Sequence, residues 1–235
     1  MTALVLFMIG FVSSATDPTG PDDIDVIANE TKTASSGKIV NISGGRVATL
    51  DLNATVQNPH WKAFVGNVTG KFTLDDTSGS TIYDWSLTVT TGRVYGTRNS
   101  STPNWTGINC SGVADLEQEN DALNHTSSSD NITATFNASS PSFDHDAFYV
   151  GSETIDADSC PTLSTYINND SQTQGSDKFE EMALYDGVNV IYVTLLEEDE
   201  EGFDGNTYDF QMIVPEIATD GYSGSTAYYL YVELD

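Results

Sequence analysis

Residues 58–85 read Asn58-Pro59-His60-Trp61-Lys62-Ala63-Phe64-Val65-Gly66-Asn67-Val68-Thr69-Gly70-Lys71-Phe72-Thr73-Leu74-Asp75-Asp76-Thr77-Ser78-Gly79-Ser80-Thr81-Ile82-Tyr83-Asp84-Trp85. Successive side chains of a strand point to opposite faces, so residue parity sorts this stretch into two faces. Phe64, Val68, Phe72 and Leu74 share one parity, while Val65, Asn67, Thr69, Lys71 and Thr73 share the other. Asp75 to Gly79 is turn chemistry, and Tyr83, Trp85, Leu87 and Val89 follow on a single parity. The stretch predicts a β-hairpin with Phe72, Leu74, Tyr83 and Trp85 on a packed face. Trp61 and Trp85 are expected to pack against it.

The pattern recurs outward in both directions. Ile24, Val26 and Ala28 predict a short strand with no obvious partner, and residues 38–42 and 46–57 predict strands around Ser43-Gly44-Gly45. Arg93–Thr97 continues the sheet. Val113, Leu116 and Leu123 stand near helical spacing and predict one short helix over 113–123. Ile132, Ala134 and Phe136 predict a strand over 131–137. Residues 179–196 predict a second hairpin, with Phe179, Met182 and Leu184 before Asp186-Gly187 and Val188–Leu196 after it. Tyr208–Val214 and Ala227–Leu234 predict the last strands, the final one burying Tyr228, Leu230, Val232 and Leu234. Many short strands between polar turns define an all-β, antiparallel β-sandwich of Ig-like or jelly-roll-like type. The expected organisation is residues 1–30 as an apolar segment, linker and short strand. Residues 31–235 then form one sandwich domain with an insertion at about 98–146.

The chain has 235 residues, 35 acidic against 8 basic, and a formal net charge of −27. Nucleic acid is excluded as a partner, since binding it requires Lys and Arg to neutralise phosphates. Such charge suits a solvated acidic surface, a high-salt solvent or divalent-cation binding.

Leu4, Val5, Leu6, Phe7, Met8, Ile9, Phe11 and Val12, followed by Ser13-Ser14-Ala15, read either as a secretory signal peptide without its basic start or as a retained assembly element. The run is too short for an ordinary spanning helix. Under the second reading Leu4, Leu6, Phe7 and Ile9, with Ile24 and Val26 of the first strand, are the assembly residues. Both readings place the protein outside the cytoplasm.

The sequon Asn-x-Ser/Thr occurs at Asn29, Asn41, Asn53, Asn67, Asn99, Asn104, Asn109, Asn124, Asn131, Asn137 and Asn169, which is 11 of 16 Asn. Chance predicts only about three or four in a Ser/Thr-rich chain, so the excess points to N-glycosylation. Asn53, Asn67, Asn131 and Asn137 lie on the polar parity of their predicted strands, as attachment of a sugar requires.

Cys110 and Cys160 are the only cysteines. In an extracellular chain the simplest reading is one disulfide, worth roughly 4 kcal/mol for a loop of this size in the chain-entropy model. Two free thiols or a metal pair are the alternatives. The acidic loop 197–209 suggests calcium, with Asp199, Glu201, Asp204 and Asp209 as ligands, or a merely solvated turn. Asp144 and Asp146 beside His145 form a second, weaker group. His60, His125 and His145 are scattered, and no phosphate loop or nucleophile elbow is present, so no catalytic residues are expected.

Several runs carry a resemblance: Trp61…Gly66-Asn67-Val68-Thr69-Gly70…Ile82-Tyr83-Asp84-Trp85, Gly202-Phe203-Asp204-Gly205…Tyr208-Asp209-Phe210-Gln211-Met212-Ile213-Val214-Pro215-Glu216, and Tyr228–Leu234. With both cysteines, they resemble a poorly characterised group of secreted archaeal cell-surface β-rich proteins over most of residues 45–235. The resemblance implies an archaeal cell surface and brings no catalytic residues. The leading expectation is a glycosylated extracellular structural subunit of a pilus-like filament, polymerising head to tail with copies of itself. A surface-layer protein, a carbohydrate-binding or adhesin module, and a hydrolase follow in that order.

Overall fold

The computed structural model describes residues 16–87, 90–125, 129–172 and 178–235. Its strands are β1 (Trp61–Gly66), β2 (Lys71–Asp75), β3 (Thr81–Ser86), β4 (Gly92–Thr97) and β5 (Asn109–Cys110). The helices α1 (Val113–Leu123) and α2 (Ile132–Thr135) follow. The chain then forms β6 (Phe148–Val150), β7 (Glu153–Ile155), β8 (Thr162–Ser164), β9 (Glu180–Tyr185) and β10 (Val190–Leu195). It closes with β11 (Glu200–Glu201), β12 (Thr207–Tyr208), β13 (Phe210–Pro215) and β14 (Tyr229–Leu234). The protein is all-β and sandwich-like, with every pairing between these strands antiparallel.

The central sheet runs β14-β4-β10-β9-β5, with β8 also pairing β9. Strands β4, β9 and β10 are buried on both faces, and this is why Val190–Leu196 is an apolar run broken only by Thr194. On one face Tyr95, Met182, Leu184, Ile191 and Val193 pack with Trp105, Ile108, Phe148, Val150, Ile155 and Cys160. On the other, Ala183, Val190 and Tyr192 pack with Met212 and Val214 of β13 and with Leu116, Leu123, Ile132 and Phe136. Leu230, Gly96, Tyr192 and Ala183 form one rung across four strands. Gly96 leaves room for Met212 and Leu230 to close over it: a Cβ there would stand 3.4 Å from the Met212 sulfur and 3.6 Å from a Leu230 methyl.

The helix over 113–123 has the expected bounds. Its start is held by Asp115, whose Oδ2 accepts the Gly112 N–H at 2.7 Å. Its buried positions Leu116, Glu119, Asn120 and Leu123 follow the i, i+3, i+4, i+7 stripe. The 179–196 hairpin also forms as expected, as β9 and β10.

Other expectations need correction. Residues 131–137 are not a strand. Asn131 Oδ1 accepts the Ala134 N–H and caps a helical turn, Ile132 and Phe136 turn inward at i and i+4, and Asn137 is left-handed at φ 49°. An apolar residue at every second position fits either period over so short a run. The 98–146 region supplies members of both cores, Trp105 and Ile108 to one and Leu116, Leu123, Ile132 and Phe136 to the other. Residues 24–28, 38–42 and 46–57 form no strand and lie exposed, so 31–57 stand outside the packed body. The 58–85 hairpin also splits. Strand β1 leaves it to pair with β13, Trp61 opposite Pro215 and Gly66 opposite Phe210. Only β2 and β3 remain as a hairpin, and every residue of both is exposed. Finally, β14 is half-buried on both sides, and Glu233, not an apolar residue, is its one fully buried side chain.

Candidate functional site

Two exposed apolar features stand out, and the first is the arm preceding β1. Leu4, Leu6, Phe7 and Ile9 lie outside the described residues. At residue 18 the chain is anchored: Pro18 is buried, and Thr19 bridges Val232 through two backbone hydrogen bonds of 3.0 and 2.7 Å on the open edge of β14. From residue 22 to 57 every residue is exposed. The arm doubles back at Gly44-Gly45, where Gly45 takes φ 77°. Its two limbs meet at the base, where the Thr31 hydroxyl and the Lys32 N–H both donate to Gln57 Oε1. No backbone ladder joins the limbs. Ile24, Val26, Ile39, Leu50, Leu52 and Val56 are all exposed, with Leu52 at 87% and Val56 at 85%.

The second feature is the β2–β3 hairpin. Phe72 stands opposite Trp85 and Leu74 opposite Tyr83, so the four side chains share one face. They remain 42, 50, 55 and 60% exposed respectively. The Tyr83 and Trp85 rings meet edge to face at 4.9 Å between centroids. The opposite face carries the Lys71–Asp84 ion pair and, beside it, the exposed Ile82. A two-stranded hairpin with an uncovered apolar face is marginal in water. Trp85 therefore faces solvent, whereas Trp61 and Trp105 belong to the packed body.

Among the sequons, Asn29, Asn41, Asn53, Asn67, Asn104, Asn109, Asn124, Asn137 and Asn169 are exposed, and Asn99 and Asn131 are half-buried. Several are bound locally. Asn131 caps α2, Asn124 is the left-handed C-cap of α1, and the amide groups of Asn109 and Asn124 donate to Gly107 O and Thr219 Oγ1. Asn53, Asn41 and Asn29 sit on the arm, so their exposure follows from the arm's and not from strand parity.

Cys110 and Cys160 are joined in a disulfide with Cα atoms 4.8 Å apart. Beside it His145, expected as the centre of a weak acidic group, is buried and works as a brace. Its Nδ1–H donates to Asp146 O at 2.7 Å, and Nε2 accepts the N–H groups of Ser159 and Cys160, both at 2.9 Å. The tautomer follows from these partners.

The acidic loop does not assemble the expected ligand set. Asp209 is buried, and its two oxygens accept the Val68 N–H at 2.7 Å and the Asp199 N–H at 3.1 Å. Asp204 closes its own turn through Asn206 and Tyr208. The Asn206 N–H, partly offset by desolvation, holds its carboxyl below the usual range. Asp199 and Glu201 are exposed. Among the described residues no three His, Cys, Asp or Glu side chains converge to hold a metal ion. Asp209 ties the start of β13 to the turn after β1.

Folding also joins residues the sequence left scattered. His60 Nδ1 meets Asp130 Oδ2 at 2.9 Å, Trp61 donates to Asp130 O, and His125 lies buried between Asp130 O and Glu216 O. A shallow cavity of about 170 Å³ beside them is lined by His60, Glu216, Ile217 and Tyr222. Burial would raise the Glu216 carboxyl, but Lys62 and Thr226 hold it down to about 2, so it remains an ion-paired carboxylate. Glu181 is the opposite case. It is fully buried in the central sheet, accepts only the Ile213 N–H at 2.8 Å, and burial pushes its carboxyl well above the usual range. It faces the core, not a cleft.

No family model, no curated protein and no solved structure matches this chain. No helix among the described residues is long and apolar enough to cross a membrane.

Proposed function

We propose that this chain is a glycosylated extracellular structural subunit of an archaeal cell-surface filament, a pilus-like fibre that grows head to tail through its N-terminal segment. The observation that carries this reading is the arm. Some thirty-six residues, 22–57, form no strand and are all exposed among the described residues, and several of them are large apolar side chains. Exposed apolar surface of this extent marks an interaction site. An extended segment can complete a neighbouring subunit's sheet, and a head-to-tail contact that does not close makes a fibre. The sequons support an extracellular setting, since nine of their eleven Asn are exposed, and N-glycans on a −27 chain would discourage sideways aggregation.

Electron microscopy of the native cell surface, with this chain identified in any fibre, tests the reading. Removing residues 1–30 should abolish the fibres. Native fibres from the truncated chain, or a stable monomer as the only secreted form, would overturn it. The second reading is a carbohydrate-binding or adhesin module, favoured by the exposed Tyr83 and Trp85 rings.

A further inference from the structure

Five of the eleven sequons stand where the residue after the asparagine is fixed inside the body: Asn104-Trp105-Thr106, Asn109-Cys110-Ser111, Asn124-His125-Thr126, Asn131-Ile132-Thr133 and Asn137-Ala138-Ser139. Four of these asparagines are exposed, and Asn131 is half-buried. Trp105 belongs to one core, and Ile132 and Ala138 belong to the other. Cys110 is tied to Cys160. His125 is buried, its ring held between the carbonyl oxygens of Asp130 and Glu216.

Two sequon hydroxyls are committed as well. Ser111 is buried; its N–H donates to Ala183 O at 2.9 Å and its hydroxyl to Leu184 O at 2.7 Å. The Thr133 hydroxyl accepts Asn120 Nδ2–H at 2.8 Å, while Asn120 Oδ1 accepts the Ile132 N–H at 2.8 Å. The arm is the opposite case. Every residue of Asn29-Glu30-Thr31, Asn41-Ile42-Ser43 and Asn53-Ala54-Thr55 is exposed. A sequon is a three-residue signal, so the transferase that reads it must take the Asn amide and the Ser/Thr hydroxyl together from one short piece of backbone. In the body that means undoing core packing, which happens only in the fraction of molecules that open, roughly 10⁻³ or less.

We infer that Asn104, Asn109, Asn124, Asn131 and Asn137 take their sugar on the unfolded chain, before the Cys110–Cys160 bond closes, whereas Asn29, Asn41 and Asn53 accept theirs before or after folding. This order of events rests on the reading of the chain as a glycoprotein. In the transfer, the bond from the sugar's anomeric carbon to the phosphate of a glycosyl-phosphate donor breaks. The carbon bonds to Asn Nδ2, the amide gives up one proton, and the phosphate leaves with the bonding electrons. The fold accepts the product. A glycosylated amide keeps one N–H, enough for the bonds from Asn109 to Gly107 O and from Asn124 to Thr219 Oγ1. Asn131 caps α2 through Oδ1, which the sugar leaves alone.

The test uses the full chain, made without sugar in a host that lacks N-glycosylation. One portion is folded and oxidised, as shown by a cooperative melt and the linked Cys110–Cys160 peptide. The other is reduced and unfolded immediately before use. Both receive a membrane fraction of the native cell, which supplies transferase and donor, and glycopeptide mass spectrometry reads each site. The chain secreted by the native cell is read alongside. Sugar is expected on the five body sites of the native chain. In the folded portion those five sites should be modified at least about 100-fold more slowly than in the unfolded portion, while Asn29, Asn41 and Asn53 are modified alike in both. Equal modification of the five sites in the two portions overturns this order of events and leaves the glycoprotein reading standing. A native chain with sugar on the arm and none on the five sites also overturns it, since folding then outruns transfer. A native chain with no sugar at any sequon overturns both.

Discussion

Replacing Cys110 and Cys160 by Ala should cost this protein a large share of its stability. The bond closes a loop with a sequence separation of 50 residues. That loop contains α1, α2 and the β6–β7 hairpin, which supply Leu116, Leu123, Ile132, Phe136, Phe148, Val150 and Ile155 to the two cores. In the chain-entropy model, cross-linking a loop of this length removes about 14 cal/mol/K from the unfolded ensemble, or roughly 4 kcal/mol at 25 °C. Losing the buried Cys160 sulfur from the apolar cluster should add roughly 1 kcal/mol. For a domain of this size, 4–5 kcal/mol corresponds to a melting point lower by roughly 10–15 °C. The assay is thermal and urea unfolding of the oxidised protein, the reduced protein and the double-Ala variant. Reduction and substitution should agree within about 1 kcal/mol, and the urea slope should rise as the unfolded chain gains freedom. A melting point within about 3 °C of the parent, with an unchanged slope, would refute the reasoning. It would mean that the 110–160 loop keeps its ends together without the bond.

Glu181→Gln should stabilise the protein, increasingly so as pH rises above about 4.5, the ordinary Glu value. A carboxyl raised on folding contributes most below its unfolded pKa, and that contribution is lost as pH rises towards the folded value; equal pH profiles for parent and variant would refute it. Gly92→Ala should destabilise by several kcal/mol, because Gly92 sits at φ 140° and an added Cβ would fall 1.9 Å from the Glu233 carbonyl oxygen; calorimetry of the variant checks this, and a loss under about 1 kcal/mol contradicts it. Asp209→Ala should cost roughly 2–4 kcal/mol by stranding the Val68 and Asp199 N–H groups, equally with calcium or with chelator present. A loss seen only with calcium would restore the metal reading.

The hairpins 72–83 and 182–192 show how far local pattern reaches. Both carry a strand, an acidic or Gly turn, and a return with Ile-Tyr, and both form hairpins. Yet Leu184 and Ile191 are fully buried, while Leu74 and Tyr83 are more than half exposed. Parity told which side chains share a face, since it depends only on backbone geometry. It carried no information on whether another layer lies over that face. The same limit explains residues 46–57, where alternation was read as a strand but no ladder partner exists among the described residues.

What the sequence by itself determined is therefore local or compositional. It gave the all-β class, the 113–123 helix with its stripe, the β9–β10 hairpin, and one disulfide as the simplest reading of the only two cysteines, which the structure joins. Neighbouring residues or simple counting set each of these. The tertiary structure alone decided that β1 leaves its apparent hairpin for β13, 144 residues later in the chain at the Gly66–Phe210 end. It also decided that Asp209 and His145 each hold two backbone N–H groups, that His60, His125 and Asp130 meet, and that the arm and the β2–β3 face are exposed among the described residues. Each of these depends on which distant surfaces come together, and burial free energy is set by that whole arrangement and not by any window of sequence.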